Sequence, residues 1–242
     1  MGKVYGAVLA GGVGHRMGNV EKPKQFLELG GKPVIIHTLE KFVIHPGFDR
    51  IVVPTPRAWI QYTQDIVSRY IPAPAVPIDV IEGGETRNET VMNVIRFMEQ
   101  QGDLDEDSIV VTHDSVRPFV THRILEENIR YAREYGACDT VIPATDTIVE
   151  STGEGKITSI PDRKFMYQGQ TPQTFHAMKL REAYEALSPE EKAVLTDACK
   201  IMVLRGEHVH LVDGETFNIK LTYPYDVTVA KALLGMEMPE DA

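Results

Sequence analysis

Residues 9–17 read Leu-Ala-Gly-Gly-Val-Gly-His-Arg-Met and directly continue the apolar run Val4–Leu9. A short, nearly continuous apolar run predicts a strand that is buried on both faces. Glycine lacks a Cβ atom, so the backbone after this strand can turn sharply and bring its N–H groups close to a ligand. Arg16 and Lys24 add positive charge beside the turn. Together these features predict a cradle for a polyphosphate.

The glycine-rich segment fits neither of the two commonest glycine motifs. The dinucleotide-binding fingerprint fails because Met17 stands where its third glycine belongs. The P-loop needs Gly-Lys-Ser or Gly-Lys-Thr, and the segment has neither. The plain alternative is a turn that only reverses the chain. The adjacent Arg16 and the run Pro23-Lys24-Gln25 favour a phosphate site over that alternative.

Composition places the chain among ordinary globular proteins. It has 242 residues, of which 43% are hydrophobic and 25% are charged, so it can bury a core. Its formal net charge of -10 disfavours a general nucleic-acid-binding protein, since such proteins are usually basic. Cys138 and Cys199 lack metal-binding spacing, and we expect reduced thiols. No signal-peptide pattern or membrane-length apolar run is evident, so we expect a cytoplasmic protein.

Strand and helix patterns alternate along the first part of the chain. Strands are predicted at residues 4–9, 51–53, 78–81, 109–111 and 140–142, and helices at 33–43, 59–70, 86–98 and 124–135. This alternation predicts a Rossmann-like α/β fold with a mostly parallel sheet that helices cover on both faces. Ligand sites in such sheets lie beyond the carboxyl ends of the strands. The loops at Gly12 and Gly84 and the side chain of Asp114 all fall at that edge.

The pattern changes between residues 145 and 160. Ile148, Val149 and Ile157 surround Gly153-Glu154-Gly155 and predict a hairpin that projects from the sheet. Such an arm pairs with a second subunit, covers a site as a lid, or is a plain surface hairpin. No repeat or linker-like composition interrupts the chain. We therefore expect residues 1–242 to form a single domain with an arm at about 145–160.

Several polar residues follow other predicted strands. Asp114 is either a helix cap or turn residue, or a carboxylate that organises a magnesium ion or a basic side chain. Arg163 and Lys220, taken alone, are typical of solvated surface residues. His208 and His210 share a strand face but have no evident third metal ligand. No Ser-His-Asp or Cys-His arrangement can be proposed, so the implied chemistry is electrostatic.

Seven ordered motifs resemble those of the IspD/TarI-type cytidylyltransferases, a family that joins CTP to a polyol phosphate and releases pyrophosphate. The motifs are LAGGVGHRM (9–17), PKQ (23–25), GGxxR (83–87), HDxxRP (113–118), TPQ (171–173), TD (196–197) and NIKxT (218–222). The resemblance covers essentially the whole chain. It implies an α/β fold of the nucleotidyltransferase type.

The family has two main branches, which differ in the acceptor. One branch uses 2-C-methyl-D-erythritol 4-phosphate for isoprenoid synthesis, and the other uses D-ribitol 5-phosphate for teichoic acid or related surface polymers. The chain is similar to the ribitol branch at Gly11, at Val116, in an extra residue before Lys24, and in the runs 167–170 and 195–200. The resemblance therefore implies a D-ribitol-5-phosphate cytidylyltransferase. The methylerythritol enzyme and a non-catalytic nucleotide-binding scaffold are the alternatives.

The resemblance also implies a role for individual residues. Arg16 and Lys24 would stabilise the transition state at the α-phosphate of CTP, and Arg163 and Lys220 would position the attacking phosphate. The nucleotide would be held by Leu9, Ala10, Gly11, Gly12, Gly83, Gly84, Arg87, Asn88, Thr90, Asp114 and Ser115. The polyol phosphate would also contact Arg117 and Thr196, and Asp114 would bind Mg²⁺. The family forms homodimers through the arm, and a reductase that supplies ribitol phosphate is a possible partner. We expect no nucleic-acid or membrane partner.

Overall fold

The computed structural model describes residues 2–12 and 22–235. Its strands, in chain order, are β1 (Val4–Leu9), β2 (Glu28–Leu29), β3 (Lys32–Pro33), β4 (Arg50–Thr55), β5 (Ile78–Glu82), β6 (Ile109–Asp114), β7 (Ala137–Pro143), β8 (Glu150–Ser151), β9 (Ile157–Ser159), β10 (Tyr167–His176) and β11 (His210–Asp213). Seven of these strands form one sheet in the order β11-β7-β10-β6-β1-β4-β5. The pairs β2–β3 and β8–β9 form separate two-stranded hairpins.

Helices cover both faces of the main sheet. They are α1 (Val34–Val43), α2 (Ile60–Tyr70), α3 (Arg87–Gln100), α4 (His122–Tyr135), α5 (Ala177–Glu185), α6 (Pro189–Ala193), α7 (Cys199–Leu204) and α8 (Pro224–Leu234). Helices α1, α2 and α4 pack on one face, and α3, α5 and α7 pack on the other. The predicted α/β fold is thus confirmed. Within the described ranges, the helices are all too short or too polar to cross a membrane.

Strand β1 lies inside the sheet, as its apolar run predicts. It pairs in parallel with β4 on one side and β6 on the other. Val4 and Val8 join the core on the face of α1, α2 and α4, whereas Tyr5 and Ala7 join the core on the opposite face. Because successive side chains of a strand point to opposite faces, a strand covered on both sides must be apolar throughout.

Strand β10 is the main difference from the expected fold. It runs antiparallel to both of its neighbours, β6 and β7, in the middle of the sheet. The sequence predicts no strand here, since the segment is rich in glutamine and threonine and contains Pro172. Helices α5 and α7 were not predicted either. Pro54 lies just beyond the predicted strand 51–53, but it is part of β4, where its carbonyl accepts a hydrogen bond from Ala10 N at 3.0 Å.

The predicted arm is present as the β8–β9 hairpin, which is antiparallel and separate from the main sheet. Residues 149–160 are all exposed. Apolar side chains are among them, and Ile157 and Ile160 are 61% and 60% exposed. The arm rises beside the point where Pro143 of β7 pairs with Tyr167 of β10.

An aromatic cluster fixes the chain just before β2. The 3-10 turn Lys24–Phe26 ends at Phe26. The centroid of its ring lies 5.2 Å from that of Trp59 and 5.0 Å from that of Tyr62. Lys22 Nζ lies 4.9 Å from the centroid of the Tyr62 ring. These contacts hold Lys24 and the following Gln25 at the carboxyl edge of the sheet.

Candidate active site

A cavity of about 340 Å³ opens beyond the carboxyl ends of β1 and β6. Its lining consists of Leu9, Gly11, Gly12, Lys24, Gln25, Gly84, Glu85, Thr86, Arg87, Thr90, Asp114, Ser115, Val116, Lys220 and Thr222. This volume lies within the usual range for small-molecule sites. The structure thus brings the two glycine loops and Asp114 together at one edge of the sheet, where the sequence predicts a ligand site.

The first glycine loop leaves β1 at Ala10, whose backbone is held from two sides. Its N–H donates to Pro54 O at 3.0 Å, and its carbonyl accepts from Gln25 Nε2 at 2.7 Å. Gln25 is 1% exposed, so its amide is a fixed part of the cavity wall. Gly11 and Gly12 are exposed at the cavity. The backbone of both residues therefore borders the space in which a ligand would bind.

The second glycine loop joins β5 to α3. Gly83 N donates to Thr55 O at 2.9 Å, and Gly84 N donates to Thr90 Oγ1 at 3.0 Å. Helix α3 begins with the predicted capping box, in which Thr86 and Glu89 satisfy each other's backbone N–H groups. The cap fixes the first turn of α3 and so orients Arg87 toward the cavity.

Asp114 is the centre of charge at the site. The side chain is 11% exposed, and its Oδ2 lies 2.9 Å from Lys220 Nζ and 3.4 Å from Arg117 Nε. Its Oδ1 lies 3.5 Å from Arg87 Nη2. Burial alone would raise the pKa of this carboxyl, but the charges of Arg87, Lys220 and Arg117 outweigh burial and hold the pKa well below its usual value. Three cations facing one ionised carboxylate leave an excess of positive charge at the cavity, in a chain whose net charge is negative.

A buried hydrogen-bonded chain supports Asp114 from behind. Asp114 N donates to Thr171 Oγ1 at 3.1 Å, and that hydroxyl lies 2.9 Å from His113 Nδ1. His113 Nε2 lies 3.1 Å from Arg117 O, which can only accept, so we assign the proton to Nε2. Burial lowers the pKa of His113 to about 4, so the ring is neutral at pH 7. Backbone and side chain of Asp114 are therefore both fixed.

Asn218 places Lys220 at the cavity. Its side-chain Nδ2 donates to Thr171 O at 2.9 Å, and its backbone carbonyl accepts from Arg117 Nη1 at 2.8 Å. Lys220 follows two residues later and reaches Asp114. The motif Asn-Ile-Lys therefore combines one residue that anchors the segment with one that faces the cavity.

Some predicted site residues are not part of the cavity lining. Arg16 falls in the segment 13–21, outside the described residues. Arg117 is buried behind Asp114, while Ala10, Gly83 and Asn88 lie outside the lining. Thr196 is exposed in the segment before α7. Arg163 is exposed at the base of the arm, where its Nη1 donates to Thr145 O at 2.8 Å.

Sequence reasoning missed other residues of the site. Gln25, Thr86 and Thr222 line the cavity, and His113 with Thr171 supports it. Gln25 and Thr171 belong to short motifs that were noticed, but their role depends on contacts with distant parts of the chain. Only the fold itself reveals such contacts.

The histidines and cysteines that were weighed as metal ligands make other contacts or are buried. His210 stacks on Tyr135 with ring centroids 4.3 Å apart, and His208 lies 6.3 Å from the same ring. Cys138 and Cys199 are buried free thiols, as predicted. Within residues 2–12 and 22–235, no group of three or more His, Cys, Asp and Glu side chains is arranged to hold a metal ion.

The chain is similar to a known protein family and to solved structures over almost its full length. Residues 4–236 match the model of the family described as IspD, 2-C-methyl-D-erythritol 4-phosphate cytidylyltransferase. The 4-diphosphocytidyl-2C-methyl-D-erythritol synthase of Anaerococcus prevotii is 26% identical, with 97% of each chain covered and a TM-score of 0.79. The 2-C-methyl-D-erythritol 4-phosphate cytidylyltransferase of Francisella tularensis is also 26% identical, with 95% of this chain and 99% of that chain covered and a TM-score of 0.76. The corresponding enzyme of Thermus thermophilus is 26% identical, with 98% of this chain and 100% of that chain covered and a TM-score of 0.71.

The match extends over almost the entire chain and includes both glycine loops, Asp114 and Lys220. The structural likeness covers the same length, including the sheet edge at which the cavity opens. The protein therefore belongs to the IspD family of cytidylyltransferases.

Proposed function

We propose that the protein transfers CMP from CTP to D-ribitol 5-phosphate, which gives CDP-ribitol and pyrophosphate. The observation that carries the proposal is the cavity between two glycine loops, with Lys24, Arg87 and Lys220 in its lining. Backbone N–H groups and fixed cations are what a triphosphate and an incoming phosphate both require.

The proposed reaction needs no general base. A phosphate monoester is largely a dianion at pH 7, since its second pKa is about 6, so its oxygen is already a nucleophile. The carboxylate at the centre of the site, Asp114, is a poor base because the surrounding cations hold its pKa low. Catalysis would then consist of positioning and charge stabilisation, as in other phosphoryl transfers.

The cations divide into two groups along the cavity. Lys24, beside the first glycine loop, would stabilise charge that develops at the α-phosphate of CTP, together with Arg16. Lys220, which Asp114 holds at 2.9 Å, would bind the phosphate of the acceptor. Arg87 would hold Asp114 in place and face the nucleotide.

A magnesium ion would be bound mainly by the phosphates of CTP, with the Asp114 carboxylate as its protein ligand. Protein sites for Mg²⁺ commonly use one or two carboxylates together with substrate phosphates. Asp114 supplies a buried carboxylate of this kind at the cavity. When bound, Mg²⁺ would neutralise charge on the triphosphate.

Arg163 would act on an acceptor phosphate only if a second subunit brings it to the cavity, since it lies outside the lining of its own chain. We propose a homodimer that is formed through the β8–β9 arm. The exposed apolar side chains Ile157, Ile160 and Phe165 at the arm and its base favour such an interface. Sedimentation at micromolar concentration tests this proposal, and a species with the mass of one chain would contradict it.

The acceptor is the finer part of the proposal. The similarity of Gly11, Val116 and the runs 167–170 and 195–200 to the ribitol branch supports D-ribitol 5-phosphate. The second candidate is 2-C-methyl-D-erythritol 4-phosphate, which the description of the family and the names of the solved neighbours favour. At 26% identity, these neighbours share the fold, and the fold alone does not fix the acceptor.

Pyrophosphate release from CTP with Mg²⁺ tests the proposal directly. We expect release with D-ribitol 5-phosphate and little with 2-C-methyl-D-erythritol 4-phosphate. The reverse result would assign the protein to the second candidate with the same nucleotide chemistry. CTP binding without release from either acceptor would instead support the scaffold alternative.

A further inference from the structure

A row of polar side chains crosses the sheet beside the cavity, on the face that α3, α5 and α7 cover. Gln173 of β10 pairs with Thr112 of β6 on one side and with Asp139 of β7 on the other. Thr112 precedes Asp114 by two positions, so the two side chains point to the same face. Neighbouring strands lie about 4.8 Å apart, and β7 is the second strand from β6. Asp139 of β7 therefore lies about 10 Å across the sheet from β6. That distance is comparable to the length of a five-carbon polyol phosphate.

Asp139 is an unusual residue to find at this position. The carboxylate is partly buried, its Oδ1 accepts from Gln173 Nε2 at 3.1 Å, and the Cys199 thiol also bonds to it. Gly169 has no side chain to cover Oδ2, and a Cβ at that position would lie 3.7 Å from this oxygen. A carboxylate has about four acceptor positions, so Asp139 retains capacity for further donors.

Two buried polar atoms, both of residues that act on Asp139, have no partner among the described residues. One is Oε1 of Gln173, a residue that is only 2% exposed, and the other is Nη1 of Arg87. Leaving a buried polar atom unpaired is costly, and such atoms are rare in folded proteins. Arg87 contacts Asp114, and its charge also acts on Asp139. Arg87 thus links the cavity to the polar row.

The electrostatic setting of Asp139 is opposite to that of Asp114. Burial raises the pKa of Asp139 to about 6, with a further rise from the negative charge of Asp197, while the hydrogen bond from Gln173 lowers it. Asp197 directly follows Thr196, which the family resemblance places at the polyol phosphate. A carboxylate whose charge the fold disfavours is typical of a functional site.

We propose that Asp139, Gln173 and Arg87 form a subsite that binds the hydroxyl groups of the acceptor's polyol chain. The subsite rests on the proposed function. A hydroxyl both donates and accepts, so it can donate to Asp139 or Gln173 Oε1 while accepting from Arg87 Nη1. D-ribitol 5-phosphate has one more hydroxyl than 2-C-methyl-D-erythritol 4-phosphate and no methyl branch. A polar floor of this kind therefore selects the ribitol compound.

Two variants test the subsite in different ways. Asp139→Asn keeps the shape and removes the charge. Gly169→Ala keeps the charge but places a methyl group beside Oδ2, and the backbone there is not in the left-handed region. The matched control is Asp79→Asn, which removes a partly buried carboxylate of the same sheet that pairs with Arg50 at 2.6 Å, away from the cavity lining.

Steady-state pyrophosphate release and CTP calorimetry give the readout. We expect both subsite variants to raise the KM for D-ribitol 5-phosphate about 10- to 100-fold, as for the loss of a hydrogen bond to a charged group. The KM and Kd for CTP should stay within about twofold of those of the unaltered protein. This limit allows for experimental scatter and lies well below a tenfold change, which corresponds to about 1.4 kcal/mol. The control should change neither constant. An unchanged KM for the acceptor in both variants would overturn the subsite while leaving the proposed function intact.

Failure of the proposed function has a different signature, because it is visible in the unaltered protein. If that protein uses only 2-C-methyl-D-erythritol 4-phosphate, the proposed acceptor is wrong, and a raised or unchanged KM for this compound in the variants decides the subsite. If it uses neither acceptor, both proposals fall.

Thermal unfolding separates this role from a structural one. The pKa of Asp139 in the folded state, about 6, lies above the ordinary value of 3.8. Between pH 3.8 and pH 6 the carboxyl is therefore mostly protonated in the folded state and mostly ionised in the unfolded state. The carboxylate therefore lowers stability as pH rises through this window, and the full cost is present above pH 6. Asp139→Asn should raise Tm at pH 8, with the gain shrinking toward pH 4. A lower Tm at pH 8 would indicate a structural carboxylate and contradict the subsite.

Discussion

The two glycine loops line the same cavity, but they need glycine for different reasons. A Cβ at Gly84 would lie 2.4 Å from the Cβ of Glu89 and 2.7 Å from its carbonyl carbon, so the fold itself excludes a side chain there. A Cβ at Gly12 would meet no described atom within 4 Å. The second loop is thus packed against α3, whereas Gly12 lines the cavity without a close neighbour among the described residues. The comparison indicates that glycine is required by packing at Gly84 but not by the described packing at Gly12.

The largest expected effect concerns the cation beside the first loop. Lys24→Ala should lower kcat about 100- to 1,000-fold, because a preorganised group that stabilises transition-state charge is lost. Pyrophosphate release measures the effect. Lys22→Ala is the matched control, since Lys22 lies over the Tyr62 ring and outside the cavity lining. A near-normal rate for Lys24→Ala would remove this residue from the mechanism.

Gly84→Ala should affect stability more than any other change in the loops. The added methyl group meets the backbone of α3, and such overpacking typically costs about 1–3 kcal/mol. Urea unfolding measures the loss. Unchanged stability would show that the second loop can shift, and the contrast between the loops would then disappear.

Gly12→Ala should show the opposite behaviour. The free energy of unfolding should change by less than about 1 kcal/mol, since replacing glycine at a compatible position has small effects on the unfolded chain. The affinity for CTP should fall about tenfold, or 1.4 kcal/mol, because the methyl group occupies space at the cavity. Calorimetry and urea unfolding on the same sample test both statements. A large loss of stability with normal CTP binding would reverse our interpretation of this loop.

Thr86→Ala should produce the smallest effect. Removing an N-cap hydroxyl costs about 1 kcal/mol, and Ser188→Ala at the capping box of α6 should cost a similar amount. Thr86 also lines the cavity, whereas Ser188 lies outside it. CTP affinity should therefore fall only in the Thr86 variant. Equal CTP affinity in both variants would mean that the cap does not orient the nucleotide site.

The sequence predicts this site well wherever the signal is local. The apolar strand Val4–Leu9 and the Thr86–Glu89 capping box each lie within a few residues, and the structure contains both. The convergence of the loops at one edge follows from the parallel sheet alone. Asp114 and Lys220 were predicted through the family motifs, and the structure places them 2.9 Å apart.

Strand β10 shows where such prediction fails. The residues around Pro172 show no alternation of apolar and polar side chains that would predict a strand. The partners that hold them in the sheet lie far away in the chain. Thr174 Oγ1 bonds Asn128 Oδ1 at 3.0 Å, and Thr112 Oγ1 bonds Gln173 O at 2.9 Å. This part of the core is held by polar contacts instead of an apolar pattern. The Asp139–Gln173 row was missed for the same reason.

The aromatic cluster at Phe26 has a practical consequence. Trp59 is the single tryptophan of the chain, and it packs against the ring that directly follows Gln25 of the cavity wall. Its indole therefore senses the segment that carries Lys24, and no second tryptophan dilutes its signal. Intrinsic fluorescence thus gives this protein an internal optical probe, with which nucleotide titrations and rapid mixing can be followed without a label.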